Sequence, residues 1–450
     1  MKDRLFEIWF ALRCGIANKE FQPLLETYGT PYDLFNADEA ELDKLPCSQN
    51  LKNRLADKSL REATRIMEFC KSNGVGLLFW QDEQYPASLR PLRDPPVLLY
   101  YKGRMPDLSR RLCISVVGTR SMSEYGKRMA YKIGYELGAT GTVVVSGMAL
   151  GNDSVAAAGA IAAGGQTVAV LGCGIDIVYP REHEQLFEEI LKRGAVMTEY
   201  PPATPPEGRN FPVRNRLISG LSQGTVVIEG DLRSGSMITA KTAILQGRDI
   251  YAFPGNVGET NSAGTNQLIS DGANIVLKAR DVLENYTFLY RDALDMARLL
   301  KAETRSEPDE ELLARLGVSV RTVPVKKSES QNFPAPPATQ TKPRNTTYGR
   351  SSASRKASAS ESRPKTPERS TPPAKEPTPV SPHGDASERI LKKLTDTQRR
   401  IFEVLPLDHA VPIDHITREG FTVGEVMATM TILEIHGLTV TLPGGLYARK

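Results

Sequence analysis

Residues 113–147 read CISVVGTRSMSEYGKRMAYKIGYELGATGTVVVSG and alternate between two kinds of pattern. A short run of β-branched residues ends in glycine, a stretch with apolar residues at helical spacing follows, and a second β-branched run ends in Ser-Gly. This order is typical of a parallel strand, a crossover helix and the next parallel strand.

The same alternation continues to about residue 285. Four further β-branched runs predict strands: TVAVLGCG at 167–174, AVMTEYP at 195–201, GTVVIEGD at 224–231 and DIYAFPGN at 249–256. Segments with helical spacing separate these runs, so the sequence predicts an α/β fold with a doubly wound parallel sheet. Ligands bind such sheets outside the carboxyl ends of the strands, which here carry glycine-rich loops.

Residues 1–80 carry apolar residues near helical spacing, with Gly or Pro at the stops, and predict a small helical domain of the SAM or helix-hairpin-helix type. The sequence Leu45-Pro46-Cys47-Ser48 before a helix is similar to a hairpin that holds a DNA phosphate on backbone N–H groups. The usual glycines of that hairpin are missing, so a purely structural role is the alternative.

Residues 387–450 predict three helices followed by a β-hairpin, which is the pattern of a winged-helix domain. The candidate recognition helix, 422–436, contains two glutamates and no Lys or Arg, so we expect it not to read duplex DNA. This helix has more apolar residues than one buried stripe needs. The surplus indicates either a well-filled core or a docking surface for a protein.

A region of different composition lies between these domains. Residues 326–386 contain 11 Lys and Arg against 5 Asp and Glu, many Pro, Ser and Thr, and few large aliphatic residues. Such a segment buries too little apolar surface to order itself, so we expect a disordered basic linker that acts as a tether or contacts a polyanion. Residues 291–325 predict a partly helical extension of the central domain, which spans 85–290.

Composition excludes several classes of protein. No run approaches the roughly 18 apolar residues of a membrane span, so no membrane partner is expected. The five cysteines form no CxxC pair, which disfavours a zinc ribbon or a disulfide framework and favours a reducing cytoplasm. Of the five histidines, only His183 lies in the central region, in the charged stretch REHEQLFEEI, where we expect it to be solvated. We therefore expect no His-based catalytic site, no metal and no cofactor.

Three central loops combine glycine with a helix start, an arrangement that brings backbone N–H groups close to a phosphate. They are Gly118-Thr119-Arg120, Ser146-Gly147 and Ser234-Gly235-Ser236. The GxGxxG and GxxxxGK(S/T) signatures are absent, so neither dinucleotide binding nor P-loop ATP hydrolysis has support. In Arg214-Asn215-Arg216, the two arginines either clamp phosphates or pair with Glu199 and Glu229.

Six stretches of the central region resemble the DNA processing protein A family, also called Smf. They are VVGTR, SGMALGNDSVAAAGA, VLGCGIDIVYP, TEYPP, FPVRNRLISGLS and SGSMITAKTAILQGRDIYAFPGN, and they stand in that family's order and spacing over about 85–285. The resemblance implies an extended Rossmann-like fold that binds single-stranded DNA through the loop face and forms homodimers. It also implies delivery of the RecA recombinase onto strands coated by single-strand-binding protein, as in natural transformation, without enzymatic activity.

The resemblance and the loop pattern together give a set of DNA-binding candidates. They are Gly118, Thr119, Arg120, Ser146, Gly147, Arg181, Arg214, Asn215, Arg216, Ser234, Gly235, Ser236 and Lys241. The family pattern SGxARGID…H is SGMALGND…A in this chain, so Leu150, Asn152 and Ala157 depart from it. These departures leave the family's Arg and His without counterparts, whereas the backbone donors are kept.

An enzyme is the alternative from another class. Nucleoside-monophosphate phosphoribohydrolases have a related fold and bind nucleotide phosphates on similar loops, with a catalytic Glu in the signature PGGxGTxxE. This chain has GTVVIEGDLRSGS instead, where Glu229 ends a strand and no PGG precedes it. A nucleotide-phosphate-binding enzyme or a free-nucleotide sensor is therefore the alternative to a DNA-binding protein.

Overall fold

A computed structural model describes residues 2–318, 394–406, 409–435, 438–442 and 446–449. The predicted basic linker, 326–386, lies outside the described residues. So do the last residues of the predicted extension and the first residues of the predicted winged helix. The N-terminal and central regions, 2–318, and the C-terminal region, from 394 onward, are each described by themselves.

Short helices fill the N-terminal region, as the sequence pattern predicts. They are α1 (Lys2–Cys14), α2 (Phe21–Tyr28), α3 (Pro31–Asn36), α4 (Glu39–Asp43), α5 (Gln49–Ala56) and α6 (Arg61–Ser72). Thr30 and Asp38 form capping boxes at the starts of α3 and α4, which explains why such short helices are stable. Trp9, Phe10 and Phe21 are fully buried between the helices and provide the core of this region.

Residues 76–275 provide the strands of a single sheet. They are β1 (Gly76–Phe79), β2 (Leu98–Gly103), β3 (Cys113–Val117), β4 (Val143–Ser146), β5 (Gln166–Val170), β6 (Ala195–Thr198), β7 (Gly224–Val227), β8 (Asp249–Ala252) and β9 (Asn274–Ile275). Their order is β1-β2-β6-β5-β4-β3-β7-β8-β9. The strands from β3 to β9 are parallel, whereas β1 and β2 extend the β6 edge as an antiparallel pair that the sequence pattern did not reveal.

Helices cover both faces of this sheet. They are α7 (Glu124–Ala139), α8 (Asn152–Ala162), α9 (Glu184–Arg193), α10 (Asn210–Gly220), α11 (Gly235–Leu245), α12 (Thr260–Ser270) and α13 (Ala279–Leu283). Alternate residues of β3 belong to two separate apolar clusters, with Ile114 and Val116 in one and Cys113 and Val117 in the other. Both faces of the strand are therefore buried, and the predicted α/β class with an extended Rossmann-like, doubly wound sheet is confirmed.

Glycine allows α7 and α8 to pack in close contact. A Cβ atom on Gly134 of α7 would lie 2.1 Å from the carbonyl oxygen of Ala156 in α8. Helix α8 is the alanine-rich segment NDSVAAAGAIA, and nearly all of its side chains are buried. Small residues on both helices thus bring their backbones together, and this pair of helices covers the sheet next to β3 and β4.

After α13 the chain packs back onto the central domain. Two further helices, α14 (Met296–Ala302) and α15 (Glu310–Arg315), belong to the region where the sequence predicts a partly helical extension. Nζ of Lys127 in α7 lies 2.9 Å from Oε1 of Glu310, which ties α15 to the domain. Leu299 and Leu313 are buried in the same apolar cluster as the inner side of α7.

The C-terminal region has its own three-stranded sheet. Its elements are α16 (Asp396–Val404), β10 (Val411–Pro412), α17 (Ile413–Thr417), α18 (Val423–Ile435), β11 (Thr439–Leu442) and β12 (Leu446–Arg449). The strand order is β10-β12-β11, and β11 pairs with β12 as an antiparallel hairpin. Three helices with this hairpin form the predicted winged helix, which is confirmed. Among the described residues, no helix combines the length and the apolar content that a bilayer crossing requires.

Candidate nucleic-acid interface

The strand order places a crevice at the carboxyl end of β3. The chain runs from β3 through β4 and β5 to β6 on one side and then crosses to β7, which pairs with β3 on the other side. The loops after β3 and β7 therefore diverge, which is where open α/β sheets bind ligands. A cleft of about 520 Å³ lies there. Its lining includes Gly118, Thr119, Arg120, Asp153, Tyr179, Phe211, Arg214, Asn215, Ser234, Gly235 and Ser236.

Arg120 is an exposed cation at this cleft. It follows Gly118 and Thr119 after β3, and its guanidinium carbon lies 5.3 Å from the ring centroid of Phe211. No ion pair joins Arg120 to an acidic side chain in the part of the chain that the structure describes. An exposed guanidinium beside an aromatic ring is suited to hold a phosphate while the ring stacks on a base.

Arg214 lies deeper and forms part of the cleft floor. It is 4% exposed, and its Nη1 donates hydrogen bonds to the carbonyl of Gly147 at 3.1 Å and to the carbonyl of Val170. Burial lowers the pKa of Arg214 to about 10, while the nearby Asp153 carboxylate acts in the opposite direction. The guanidinium therefore stays charged at neutral pH. It connects the ends of β4 and β5 and lines the cleft as well.

Gly147 and Asp153 complete this floor. The N–H of Gly147 donates to Oδ2 of Asp153 at 2.9 Å, and a Cβ atom on residue 147 would lie 2.6 Å from Nη2 of Arg214. Only glycine allows the guanidinium to approach the backbone this closely. Asp153 is 6% exposed, and burial raises the pKa of its carboxyl group while Arg214 opposes the shift. The charge of Arg214 is thus balanced inside the protein, and Arg120 carries the surplus positive charge.

Two aromatic rings stand at the mouth of the cleft. The centroids of Tyr179 and Phe211 are 5.4 Å apart, with an angle of 31° between the rings, and Tyr179 is 38% exposed. The guanidinium carbon of Arg214 lies 5.7 Å from the Phe211 centroid, which is similar to the distance between Arg120 and the same ring. Aromatic rings beside cations are the arrangement that receives a nucleobase together with its phosphate.

Helix α11 begins at the cleft. Ser234 caps the helix because its Oγ accepts the N–H of Met237 at 3.4 Å, and the same hydroxyl lies 2.7 Å from Oγ of Ser236. Beyond its own helix and its neighbours in the chain, no described residue lies within 4 Å of a Cβ atom placed on Gly235, so a ligand has space at this point. The first N–H groups of a helix have no partner within the helix, and this end therefore favours an anion.

The remaining predicted contacts lie outside the cleft lining. Gly147 lines a smaller recess of about 30 Å³ that shares Arg120, Tyr179, Phe211 and Arg214 with the cleft. Ser146 is fully buried at the end of β4, whereas Arg181 and Lys241 are exposed. These three residues and Arg216 line neither cavity.

Arg216 adopts the ion-pair role that the sequence left open. It is 6% exposed, with Nη2 at 2.5 Å from Oε2 of Glu199 and Nε at 3.4 Å from Oδ2 of Asp94. Glu199 also accepts the N–H of Ala17 at 3.1 Å, so the pair joins α10 to the N-terminal helices. A direct contact between Arg216 and DNA does not fit this placement, because a buried charge needs its partner.

Among the described residues, no arginine pairs with Glu229, contrary to the pairing that the sequence offered for it. The backbone N–H of Ser123 donates to Oε2 at 3.0 Å, and Oγ of Ser123 donates to Oε1 at 2.5 Å. Ser123 is the N-cap residue of α7, so Glu229 fixes the loop that follows β3. Burial raises the pKa of this carboxyl group, and Glu229 does not line the cleft.

The expectation that His183 is solvated is wrong. Its side chain is fully buried, its Nδ1 lies 3.0 Å from the carbonyl oxygen of Met148, and burial lowers the pKa of the imidazole. The 3-10 turn Arg181–His183 directs this residue inward although its neighbours in the sequence are charged. Asp153 is a second residue that sequence reasoning missed. Its position directly after Gly151-Asn152 at a helix start was the available signal.

Two other regions are candidates for DNA binding on their sequence. The N–H of Ser48, in the candidate hairpin, donates to Oε2 of Glu20 at 2.6 Å, so a carboxylate of the same domain occupies that donor. In α18, Val426, Met430 and Leu433 are buried while Met427 is 54% exposed. At least three apolar residues of this helix thus belong to a core. The described parts of the chain contain no group of three His, Cys, Asp or Glu residues placed to hold a metal ion.

Comparisons with known proteins agree with the fold. The model of the family described as DNA recombination-mediator protein A matches residues 76–287, and the model of the DprA winged helix domain matches residues 372–445. The DNA processing protein DprA of Streptococcus pneumoniae (strain ATCC BAA-255 / R6) is 36% identical over 292 residues, which are 64% of this chain and 100% of that protein. The DNA processing protein DprA of Bacillus subtilis (strain 168) is 38% identical over 234 residues, which are 52% of this chain and 78% of that protein.

A solved structure extends the likeness to three dimensions. The X-ray structure of DNA processing protein A from Streptococcus pneumoniae aligns with a TM-score of 0.56 and 32% sequence identity. The alignment covers 62% of this chain and 97% of that one.

Proposed function

The chain belongs to the DNA processing protein A family, and from this premise we propose that its central cleft binds single-stranded DNA. The relatives are named DNA processing proteins, which supports a role in DNA processing. One observation carries the proposal: the exposed Arg120 lies beside the ring of Phe211 at a cleft where a helix also begins. These groups match the two chemical parts of a nucleotide, the phosphate and the base.

The same geometry favours a single strand over a duplex. Arg120 and the first turn of α11 hold phosphate oxygens, while Tyr179 and Phe211 contact the face of a base. In a duplex both faces of each base are covered by its stacked neighbours. A single strand exposes these faces, so only the single strand uses the aromatic part of the site. Since every base has an aromatic face, little sequence preference is expected.

We propose that all thirteen predicted residues contribute to DNA binding, in ways that depend on their position. Eight of them line the cleft and are proposed to touch DNA directly: Gly118, Thr119, Arg120, Arg214, Asn215, Ser234, Gly235 and Ser236. Ser146, Gly147 and Arg216 support the loops from within. Arg181 and Lys241 are exposed and are proposed to meet the strand as it leaves the cleft.

Photo-cross-linking tests the location of the strand. The full chain is irradiated with an oligonucleotide that carries 4-thiothymidine, and the cross-linked peptides are identified by mass spectrometry. We expect peptides that contain Tyr179 or Phe211. Cross-links confined to the 326–386 segment or to the winged helix would contradict the proposal.

We further propose that the protein loads the RecA recombinase onto strands coated by single-strand-binding protein, in transformation or recombination. The support is family membership together with a cleft that grips a strand mainly through its phosphates. The measurement is the lag of RecA ATPase activity on coated single strand, with and without this chain. The lag should shorten, and an unchanged lag would contradict the loading role.

A homodimer is proposed on the same basis. Strand β9 is an edge of the sheet, and Ile275 on it and Leu277 after it are 54% and 61% exposed. An edge strand with exposed apolar side chains is suited to pair with a second copy. Light scattering of the wild type and of Ile275→Lys should show a dimer and a monomer, respectively. A wild type that stays monomeric at high concentration would contradict the dimer.

The alternative of a nucleotide-phosphate-binding enzyme or sensor has weaker support. Glu229, its candidate catalytic carboxylate, is held by Ser123 and does not line the cleft. We therefore propose a protein without enzymatic activity. Incubation with nucleoside monophosphates should release no ribose 5-phosphate, and its release would favour the enzyme.

We also propose that the protein works in the cytoplasm. All five cysteines are free thiols, which fits a protein that works in the reducing cytoplasm.

We propose that the linker 326–386 tethers the winged helix, 387–450, to the extension 291–325 and the central domain, 85–290. The helical domain, 1–80, is proposed to have a supporting role, because the carboxylate of Glu20 occupies its hairpin donor.

A further inference from the structure

The buried imidazole of His183 lies next to the cleft loop and is not among the proposed DNA contacts. Its Nδ1 is 3.0 Å from the carbonyl oxygen of Met148. A carbonyl oxygen only accepts hydrogen bonds, so Nδ1 carries the hydrogen and donates it. Burial of the ring lowers the pKa of the imidazole, which keeps it neutral, with the hydrogen on Nδ1.

The residue that accepts this bond has an unusual backbone. Met148 has φ of 52°, in the left-handed region that residues other than glycine rarely adopt. Such a conformation persists only where the surrounding structure holds it. The hydrogen bond from His183 is a tertiary contact that holds the Met148 carbonyl in this orientation.

The turn at Met148 determines how the preceding peptide faces the cleft. The N–H of Gly147 donates to Asp153 at 2.9 Å, and the carbonyl of Gly147 accepts from Nη1 of Arg214 at 3.1 Å. A relaxed Met148 would rotate the adjoining peptide groups and weaken both bonds. Arg214 would then lose part of the support that orients its guanidinium in the cleft floor.

Backbone on the other side of the turn leaves the histidine little space to move. Gly317, which follows α15 in the extension, has φ of 70°, and a Cβ atom there would lie 1.9 Å from the carbonyl oxygen of Glu182. The chain after α15 is thus in close contact with the 3-10 turn that carries His183. Nε2 of the ring is buried and has no hydrogen-bond partner among the described residues. Nδ1 is therefore the polar atom of the ring that acts on the fold.

We propose that His183 is a positioning residue for single-stranded DNA binding: its Nδ1–H holds the Met148 turn and thereby sets Gly147 and Arg214 in the cleft floor. The imidazole does not touch the strand. This inference rests on the proposed function of the cleft and names a residue that the family motifs did not point to.

Two substitutions of His183 separate the hydrogen bond from the bulk of the ring. His183→Asn places an amide N–H near the position of Nδ1, whereas His183→Leu has similar volume and no donor. Affinity of the full chain for a fluorescent oligothymidine is measured by anisotropy. We expect His183→Asn to bind within about twofold of the wild type and His183→Leu to lose about fivefold to tenfold, because a buried carbonyl is left without its donor.

A readout without DNA keeps the inference testable by itself. The ¹⁵N–¹H signal of the Gly147 amide should shift in His183→Leu and stay near its wild-type position in His183→Asn. If His183→Leu does not fold, His183→Gln replaces it, because its longer side chain places the donor beyond the position of Nδ1. Equal affinities and unchanged Gly147 signals in the donor-free variant would overturn the inference, as would an Asn variant as impaired as the Leu variant.

Arg120→Ala serves as the reference for the proposed function. If this substitution weakens binding while His183→Leu does not, only the inference about His183 fails. If the wild type does not bind the strand at all, the proposed function fails, and the Gly147 signal still decides whether His183 holds the turn.

Discussion

Arg120 is the side chain on which the proposed binding of single-stranded DNA depends most directly. Its guanidinium is exposed beside Phe211 and forms no ion pair with a described residue, so its loss removes a phosphate contact without exposing a buried partner. Arg120→Ala should weaken binding by roughly 1–3 kcal/mol, the range for a hydrogen bond to a charged group. The unfolding midpoint should change little, and anisotropy titrations beside thermal melts measure both quantities.

Arg193 provides a matched control for this prediction. It is an exposed arginine at the end of α9 and lines neither the cleft nor its recess. Arg193→Ala removes the same charge from the surface and should leave the affinity close to that of the wild type. Equal losses in both variants would show that net charge, and not the position of Arg120, determines binding.

Arg214 should behave differently because it is part of the interior. Its substitution by alanine removes the donor to the carbonyls of Gly147 and Val170 and leaves Asp153 buried without its cation. Leaving a buried charge without the opposite charge near it costs about 3–5 kcal/mol of stability. Arg214→Ala should therefore lower the unfolding free energy as well as the affinity, as denaturant titrations would show. A variant that loses affinity with unchanged stability would contradict the structural role.

The pairing of α7 with α8 can be tested through glycine. In Gly134→Ala the new methyl group would lie 2.1 Å from the carbonyl oxygen of Ala156, and backbone cannot yield as a flexible side chain can. We expect a loss of roughly 1–3 kcal/mol of unfolding free energy, the usual cost of overpacking. Gly235→Ala is the control, since its Cβ meets nothing within 4 Å, and it should leave the stability nearly unchanged.

The winged helix should contribute little to duplex binding. Helix α18 contains Glu425 and Glu434 and no Lys or Arg, and three of its apolar residues are buried. Carboxylates on a recognition helix are repelled by DNA phosphates. The full chain and a chain that ends at residue 386, which keeps the basic segment and lacks the winged helix, should therefore bind a duplex oligonucleotide with similar, low affinity. A large loss of duplex affinity on truncation would show that the C-terminal region reads duplex DNA.

Strands and helices of the central domain could be predicted because their patterns are local. The runs of β3 to β8 are β-branched and end in glycine or a polar turn, and the intervening helices have clear periodicity. Strands β1 and β2 were missed because GLLF and LLYYKG lack that pattern, and the antiparallel pairing of β2 with β6 is a long-range contact. The cleft loops could be predicted as well, because each of them directly follows one of these strands.

Burial of individual charged residues could not be predicted in the same way. Arg214 and Arg216 lie two residues apart in one helix, yet one lines the cleft and the other pairs with Glu199 and Asp94. Which partner each arginine meets depends on strands and loops that are distant in sequence. The inward turn of His183 likewise depends on tertiary contacts, among them the close approach of Gly317.

Net positive charge is distributed unevenly along the chain. The formal net charge is +4, and the excess of Lys and Arg is concentrated in the linker, 326–386. We therefore expect the cleft to attract a strand through a few placed groups and not through a strongly basic domain. This distribution predicts a modest salt dependence, since each phosphate contact adds less than one unit to the slope of log affinity against log salt.

We propose above that the cleft at the ends of β3 and β7 binds single-stranded DNA through a small number of phosphates and stacked bases. This proposal is tested most directly by anisotropy titration of the full chain with a single strand and with the matching duplex, each at a low and a high salt concentration. We predict that the single strand binds more tightly than the duplex at both salt concentrations. We also predict that its affinity falls as salt rises, with a slope of log affinity against log salt that corresponds to a few phosphate contacts. Equal affinity for the two forms of DNA, or an affinity for the single strand that does not change with salt, would contradict the account.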